Sequence, residues 1–222
     1  MEIVEPSVEL FEDFDGAAYM KKIERAGRTC YKSEANITET SATQFVRSLI
    51  KRGHESVLEH CSATFKIICD RGVMAELTRH RHCSFSVEST RYCDYSKDGV
   101  KFISPFAQGT LNFVSWENLM IQAELFYKHL RANGVPPELA RSVLPNSLAV
   151  EMVVTANLRE WRHVLKLRTD AKAHPQMRQV ANMILDIFKA KLPVIFEDIG
   201  GDKIEISAHD AGAEGTAGAA TR

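Results

Sequence analysis

The chain has 222 residues, a formal net charge of −1 and a hydrophobic content of 45%. This composition is typical of a globular protein with one sizeable domain, and the near-neutral charge excludes general attraction to nucleic acid or anionic membranes except through a local patch. No stretch approaches the roughly 20 apolar residues of a membrane span, and the acidic start MEIVEPSVELFEDFD lacks the features of a signal peptide, so we expect a cytoplasmic protein with no membrane or nucleic-acid partner.

Helix and strand patterns alternate in the first half of the chain. The opening IVE is typical of a strand, and apolar residues at helical spacing predict helices over 16–27 and 41–53, each ending at a glycine. Residues 61–70, CSATFKIICD, are rich in β-branched side chains and predict a strand that Arg71-Gly72 closes. VMAELTRH, residues 73–80, then predicts a short helix.

The middle of the chain contains the strongest helix pattern. Residues 100–104 predict a strand, and the run 111–130 has apolar residues at i, i+3, i+4 and i+7 over its whole length. We interpret the apolar faces of this helix and of the helix predicted over 177–188 as core, although a subunit interface is the alternative. Residues 147–155, SLAVEMVVT, fit either a strand or a helix.

The last predicted elements are two helices followed by a tail. Asn157, with Glu160 three residues on, resembles a capping box that opens a helix, and an amphipathic helix follows over 177–188. After about residue 200 the composition becomes rich in glycine and alanine. We therefore expect a single domain over 1–200 and a disordered tail over 201–222.

The segment RHRHCSFSVESTRY, residues 79–92, has the features of an anion-binding site. Arg79, Arg81 and Arg91 carry planar guanidinium groups, each able to donate two parallel hydrogen bonds to a phosphate or carboxylate. Hydroxyl donors are added by Ser84, Ser86, Ser89 and Thr90. The alternative is a solvated basic loop, which the interleaved apolar residues disfavour because they predict partial burial.

A second basic group lies on the helix predicted after Asn157. Its members share one broad face and are Arg159, Arg162, His163 and Lys166, whereas apolar residues occupy the other face. By itself this pattern is typical of an amphipathic surface helix. Arg168 follows in LKLRTD, and Arg141 precedes VLP.

No metal site is predicted. RGHESVLEH fails the H-E-x-x-H pattern, because the position four residues after His54 is Leu58 and the next histidine is His60. The grouping of His80, His82, Cys83 and Cys93 lacks paired short spacings. The five cysteines are odd in number and include no C-x-x-C, so we expect reduced thiols.

Together these segments resemble the flavin-dependent thymidylate synthase family, whose signature is R-H-R, about seven residues, then serine. GHESVLEH, ESTRY, ARSVLPN, TANLREWRHVLKLRTD and AHPQMR also resemble family segments in family order, and the resemblance covers 16–198. We therefore expect an α+β fold, an antiparallel sheet packed with helices, of the flavin-dependent thymidylate synthase-like type.

The resemblance implies the conversion of dUMP to dTMP for dTTP biosynthesis. The family draws the carbon from 5,10-methylenetetrahydrofolate and the reducing equivalents from NADPH, with FAD as hydride carrier, and it works as a homotetramer with active sites between subunits. It does without a covalent enzyme nucleophile. None of the five cysteines follows a proline, as the nucleophile of flavin-independent thymidylate synthases does.

The resemblance also implies a role for individual residues. Those implied to contact FAD are Ser56, Arg79, His80, Arg81, Val87, Asn157, Arg159 and His163. Those implied to contact dUMP are Glu76, Arg79, Glu88, Ser89, Thr90, Arg91, Arg141 and Arg168. Arg168 is implied to be the catalytic residue, because a fixed guanidinium against the uracil stabilises an anionic, electron-rich ring and favours ionisation at N3. Ser89 as a nucleophile is the weaker interpretation, since no base is paired with it in the sequence.

Two positions depart from the family pattern. Glu76 stands where the family often has glutamine. The family also often has an acidic or amide residue one position before Glu88, where this chain has Val87. A carboxylate at position 76 can accept a hydrogen bond from uracil N3 only if that nitrogen is protonated. Contact through the backbone is the alternative at Glu76 and Val87.

Two hypotheses from other classes stay open at this point. A nucleic-acid-binding module would use the basic loop 79–91 as a phosphate contact, with strongly salt-dependent binding and no chromophore. A metal hydrolase built on His54 and His60 would contain bound zinc.

Overall fold

The computed structural model describes residues 1–200, so the tail predicted at 201–222 lies outside the described residues. The strands are β1 Glu2–Ile3, β2 Ser7–Leu10, β3 Ser62–Asp70, β4 Ser84–Val87, β5 Lys101–Phe102 and β6 Ala149–Asn157. The α-helices are α1 Gly16–Tyr31, α2 Ser41–Lys51, α3 Arg71–Leu77, α4 Tyr95–Asp98, α5 Leu111–Ala132, α6 Pro137–Ala140, α7 Leu158–Arg168, α8 Pro175–Lys191 and α9 Pro193–Phe196. Short 3-10 helices cover Glu34–Asn36, Glu55–His60 and Arg141–Val143.

The central element is a four-stranded antiparallel sheet in the order β2-β3-β6-β4. β3 and β6 pair along their full length, from Ser62↔Asn157 to Asp70↔Ala149. β1 and β5 form a separate two-stranded parallel ribbon. The mixture of helices with an antiparallel sheet confirms the expected α+β class, and the ambiguous segment 147–155 is largely strand because it pairs with β3.

Helices α7 and α8 cover one face of this sheet. Every second residue of β3 faces the core, which includes Phe65 and Ile67. The ring of Phe65 makes edge contacts with Trp161 of α7 and Phe188 of α8, with centroids 5.1 Å away in each case. Full burial of a large apolar side chain stabilises the fold by about 2–3 kcal/mol. The core therefore fixes α7 relative to β3 and β6.

Helix α1 continues past the glycine at which the sequence predicts its end. A Cβ at Gly27 would lie 2.8 Å from Phe45 Cε1 of α2, so glycine is needed for close helix packing. The helix ends at Tyr31, and the next residue, Lys32, caps it in the left-handed conformation at φ 48°. The predicted end at Gly27 is wrong because tertiary packing, not a turn, requires this glycine.

The chain turns directly from β3 into α3. Asp70 caps the helix, its Oδ1 accepting from the Val73 amide at 2.7 Å. The predicted end of the strand at Arg71-Gly72 is confirmed, and these two residues begin α3. The sequence also did not predict β2 or β4, two short edge strands.

Helix α5 matches its prediction in extent but not in the face it buries. Its core residues are Phe113, Trp116, Met120 and Tyr127, whereas Leu119 is 63% exposed and Phe126 is 52% exposed. The interpretation of this apolar helix as wholly core is therefore wrong for the exposed side. No helix among residues 1–200 is both long and apolar enough to cross a membrane.

Candidate active site

The arginine-histidine-arginine segment forms the turn between α3 and β4. The backbone amide of His80 donates to Leu77 O, and that of Cys83 donates to His80 O, which closes the turn. His80 is buried at 7% exposure, whereas Arg79 and Arg81 are exposed. A burial cost in this motif therefore falls on the histidine alone, and both flanking guanidiniums lie at the surface.

Arg168, the last residue of α7, contacts this turn across 88 to 92 positions of the sequence. Its Nη1 lies 2.7 Å from Glu76 Oε2, and its Nη2 donates to the Glu76 carbonyl at 3.0 Å. Its Nε donates to His80 Nε2, also at 3.0 Å. All three guanidinium nitrogens thus have a protein partner, and we call Glu76, His80 and Arg168 the α3–α7 cluster.

Burial and two neighbouring groups keep His80 neutral. Desolvation, followed by the charges of Arg168 and His163, lowers the pKa of His80 to about 4. Because Nε2 accepts from Arg168, the hydrogen network assigns the ring proton to Nδ1. Glu160 Oε1 lies 3.9 Å from that Nδ1, too far for a hydrogen bond, so the contact is not an ion pair at neutral pH.

A metal is a poor fit to the same residues. His80, Glu160 and His163 form the one group of potential metal ligands among residues 1–200 whose ligand atoms all lie within 4.8 Å of one another. A cation on His80 Nδ1 would move the ring proton to Nε2, where it would oppose the Arg168 donor. His54 and His60 are not in this group, so the metal-hydrolase hypothesis gains no support.

A second polar cluster lies at the other end of β4. Arg141 Nη1 donates to Thr90 Oγ1 at 3.0 Å, and Thr90 is buried at 3% exposure. Ser89 Oγ accepts from the Arg91 amide at 3.4 Å, and the Arg91 guanidinium is exposed beside the Tyr92 ring. The structure thus brings Arg141 to the serine-threonine-arginine segment, as the sequence grouping anticipates, and we call this the β4-exit cluster.

Glu88 holds the base of that loop. Its Oε1 accepts from the Tyr95 hydroxyl at 2.6 Å, and its Oε2 accepts from the Glu151 amide at 3.2 Å. Desolvation, then the hydrogen bond to Glu88, raises the pKa of Tyr95. Val87 packs against the core from β4. Tyr95 was missed by sequence reasoning, since nothing local links it to Glu88.

The start of α7 contributes residues that are already partnered. Asn157 caps the helix, its Oδ1 accepting from the Glu160 amide at 2.9 Å, as the capping pattern predicts. Arg159 Nη1 pairs with Glu59 Oε1 at 2.5 Å on the surface. Ser56, in the neighbouring 3-10 helix, is exposed and makes no side-chain hydrogen bond within residues 1–200.

Arg162 does not belong to the exposed basic face on which the sequence pattern placed it. It is 1% exposed and donates to Glu55, to both carboxylate oxygens of Asp198 and to the Ile195 carbonyl. These carboxylates raise the pKa of Arg162 although desolvation, the largest influence, opposes them. Only residues far along the chain supply this pairing, so the helix pattern alone could not reveal it.

Two of the five cysteines are held in the thiol form by burial. All five are unpaired, in agreement with the expectation of reduced thiols. Burial raises the pKa of Cys69 and of Cys83 to about 12, so neither is a thiolate at neutral pH.

Comparison with known proteins assigns the family. A sequence model of the family described as thymidylate synthase complementing protein matches residues 17–194. A protein named probable flavin-dependent thymidylate synthase from Mycobacterium phage L5 is 37% identical over 205 residues, which are 85% of this chain and 83% of the phage protein. The chain belongs to the flavin-dependent thymidylate synthase family. The flavin-dependent thymidylate synthase of Geobacter sulfurreducens is 34% identical over 187 residues, 79% of each chain.

Solved structures support the same fold. The UMP/dUMP methylase PolB from Streptomyces cacaoi, bound with 5-Br dUMP, is similar with a TM-score of 0.75 and 28% sequence identity. The match covers 89% of this chain and 96% of PolB.

The donors left over in this family member fit a flavin dinucleotide. Arg79 and Arg81 are exposed and make no side-chain hydrogen bond or ion pair within residues 1–200, so both guanidinium forks are available to phosphate oxygens. The Ser56 hydroxyl and the exposed His163 ring, which contacts His80 edge-on at 5.9 Å, add further polar groups. Cationic forks together with a hydroxyl and an imidazole suit a dinucleotide that carries phosphates and a polar ring system.

Proposed function

We propose that this protein catalyses the reductive methylation of dUMP to dTMP in dTTP biosynthesis. FAD is the hydride carrier, NADPH the reductant and 5,10-methylenetetrahydrofolate the carbon donor. Family membership, together with the dUMP analogue bound to PolB, supports the nucleotide substrate. The nucleic-acid hypothesis for the loop 79–91 is thereby superseded.

The observation that carries the proposal is the α3–α7 cluster. It joins the signature turn to Arg168, the residue implied to act on the uracil, through three hydrogen bonds. A guanidinium fixed in this way need not reorganise when charge develops on the ring, and fixed donors of this kind make a large contribution to catalysis. We therefore propose Arg168 as the catalytic residue, with Glu76 at the base edge.

The remaining residues divide between the two ligands. Arg141, Thr90, Ser89 and Arg91 form a cationic, hydroxyl-rich group suited to the phosphate of dUMP. The exposed donors Ser56, Arg79, Arg81 and His163 are proposed to bind FAD directly. Bound FAD supplies the hydride chemistry that no amino-acid side chain provides.

Several residues that the family resemblance implies to be ligand contacts are proposed to act less directly. The side chains of Asn157, Arg159 and Glu88 are engaged within the chain, which favours the interpretation that they shape the site. Val87 offers only its backbone and an apolar surface. His80 reaches the ligands chiefly through its hydrogen bond with Arg168.

We propose a homotetramer with active sites between subunits. The α3–α7 cluster and the β4-exit cluster lie at opposite ends of β4, and its four residues alone separate them by about 10 Å. A site assembled between protomers would bring a β4-exit cluster to the α3–α7 cluster of another copy. The exposed apolar residues of α5 also support an association.

The proposal extends to the fold type, the domain and the location. A continuous core drawn from α1, α2, α7, α8 and the sheet supports one domain over 1–200, of the flavin-dependent thymidylate synthase-like type. A cytoplasmic location is consistent with the unpaired cysteines.

The test combines spectroscopy with product analysis. Purified protein is expected to show flavin absorbance, which changes when dUMP is added, and to form dTMP only with methylenetetrahydrofolate and NADPH both present. A colourless protein that takes up no FAD contradicts the proposal. Salt-sensitive binding of polynucleotide by such a colourless protein would restore the nucleic-acid hypothesis.

A further inference from the structure

A groove runs along the outer face of α1, a helix that contributes no residue to the proposed active site. One wall of the groove is α1 itself, and the other is the segment between α1 and α2, which contributes Glu34 and Ile37. The groove has a volume of about 840 Å³, the size of a site for a small molecule. The opposite side of α1, which includes Ile23 and Gly27, is buried. The groove therefore lies on a surface to which the proposed function assigns no role.

The half of the groove nearer the start of α1 is cationic. Lys21, Lys22 and Arg25 line it, and all three side chains are exposed. Lys22 and Arg25 make no side-chain hydrogen bond or ion pair within residues 1–200, and Lys21 has one exposed partner, Glu39, at 3.4 Å. Like charges three and four residues apart on a helix repel one another, and an exposed ion pair offsets little of this cost. A bound anion would relieve a repulsion that the protein itself leaves largely uncompensated.

The other half of the groove offers hydrogen-bond acceptors and an apolar surface. Ala26 and Thr29 of α1 line it, together with Glu34 and Ile37, which follow the end of the helix. The Thr29 hydroxyl donates to the Arg25 carbonyl at 3.1 Å, so its oxygen can still accept. The Glu34 carboxylate makes no hydrogen bond or ion pair in the described part of the chain, and Ile37 is 38% exposed. A free carboxylate here disfavours a purely anionic ligand but can accept from a hydroxyl or an N–H group.

We propose that this groove binds a nucleoside triphosphate outside the active site. The phosphates lie against the three cations, where a guanidinium fork and two ammonium groups donate charge-assisted hydrogen bonds. The sugar and base lie over Ile37, with a hydroxyl or N–H group donating to Glu34. From Lys21 to Thr29 the helix rises about 12 Å, which separates the anionic end of the ligand from its neutral end. Inorganic triphosphate shares the anionic part of this chemistry but leaves the acceptors of the other half unpaired.

Calorimetric titration of the flavin-loaded protein tests the proposal. dTTP, ATP and inorganic triphosphate are each added without divalent cations and with saturating dUMP, which occupies the nucleotide site of the proposed function. The groove variant carries Lys22→Gln and Arg25→Gln together. The matched control carries Lys51→Gln and Arg52→Gln, which remove the same two charges from exposed positions at the end of α2, outside the groove.

We expect at least one of the two nucleotides to bind the wild type at one site per chain, about tenfold more tightly than inorganic triphosphate. The groove variant is expected to bind that nucleotide about tenfold more weakly or worse, because it lacks two charged donors, whereas the control binds like the wild type. Since all four substituted side chains are exposed, both variants are expected to keep the wild-type unfolding transition.

Several results would overturn the proposal. They are a wild type that binds neither nucleotide, an equal loss of affinity in the groove variant and the control, and inorganic triphosphate that binds as tightly as the nucleotides. Nucleotide binding that disappears as the dUMP concentration is raised places the ligand in the active site and also overturns it. A protein that takes up neither FAD nor dUMP contradicts the proposed function alone, and the comparison of the groove variant with the control then still decides the role of the groove.

Discussion

Two arginines of α7, six positions apart, occupy different environments. Arg162 is enclosed at 1% exposure by Glu55, Asp198 and a backbone carbonyl. Arg168 has a single carboxylate partner and stays 20% exposed, with N–H groups to spare. A saturated buried arginine joins elements of the fold, whereas an unsaturated one at the surface can still bind a ligand. The two arginines carry the same charge. Their burial, and the number of N–H groups without a hydrogen-bond partner, distinguish the structural region from the proposed catalytic region.

The largest effect is expected in the structural region. Arg162→Ala removes a fully buried guanidinium with its hydrogen bonds to Glu55, Asp198 and the Ile195 carbonyl, and it is predicted to lower the free energy of unfolding by about 3 kcal/mol. Denaturant unfolding measures the loss. Arg159→Ala, on the exposed face of the same helix, serves as the control, and an equal loss in both variants would contradict the distinction.

The catalytic region is expected to respond in activity instead of stability. Arg168→Ala is predicted to retain flavin and to lower kcat about a hundredfold to a thousandfold, since a fixed donor to the ring is lost. Turnover assays at saturating dUMP measure the effect, with Arg52→Ala at an exposed position as control. Normal turnover by Arg168→Ala would refute its proposed role.

Acid is expected to affect the two regions in different pH ranges. The pKa of His80 is lowered from 6.5 to about 4. The contribution of neutral His80 to the free energy of unfolding is therefore complete above about pH 6.5 and is lost as the pH falls towards 4. Arg162 holds the pKa of Asp198 below 3.8. The contribution of the Arg162–Asp198 pair to the free energy of unfolding therefore persists to lower pH.

Unfolding measurements compare wild type with His80→Gln and with the exposed control His82→Gln. Between pH 7 and pH 4, wild type is predicted to lose about 2 kcal/mol more than His80→Gln, and the control is predicted to behave like wild type. A wild type and His80→Gln that lose stability in parallel would show that His80 does not titrate as described.

The smallest effect is expected at the β4-exit cluster. Thr90→Val removes the acceptor of Arg141 and is predicted to raise KM for dUMP roughly fivefold to tenfold, with flavin binding unchanged. Thr29→Val, at an exposed helix position, is the control. A change in flavin affinity without a change in KM for dUMP would show that this cluster does not bind the nucleotide.

Elements with a strong local pattern were predictable from sequence. The 22-residue α5, β3 and the Asn157 cap of α7 were recovered because helical spacing, β-branched content and capping are local signals. Edge strand β4 was missed because its four residues become a strand only by pairing with β6. The predicted burial of Leu119 failed because a spacing pattern cannot tell which of two apolar faces meets the core.

The site was predictable as a set of residues but not as an arrangement. Resemblance to the family nominated the signature turn, Arg141 and Arg168. It could not reveal that Thr90 accepts from Arg141 or that Glu88 binds Tyr95, because these contacts depend on how separate segments meet. The helical pattern places Arg162 on the exposed face. This is wrong because its partner Asp198 lies 36 residues away, beyond the reach of a local pattern.

By itself the sequence determined the family, the α+β class and the residues that carry chemistry, since composition, periodicity and motifs are written in local order. Tertiary structure alone decided that Arg162 is enclosed, that Arg168 is shared between Glu76 and His80, and that the signature halves lie at opposite ends of β4. The physical reason is that burial, hydrogen-bond saturation and pKa depend on neighbours brought together by the fold, and those neighbours lie far apart along the chain.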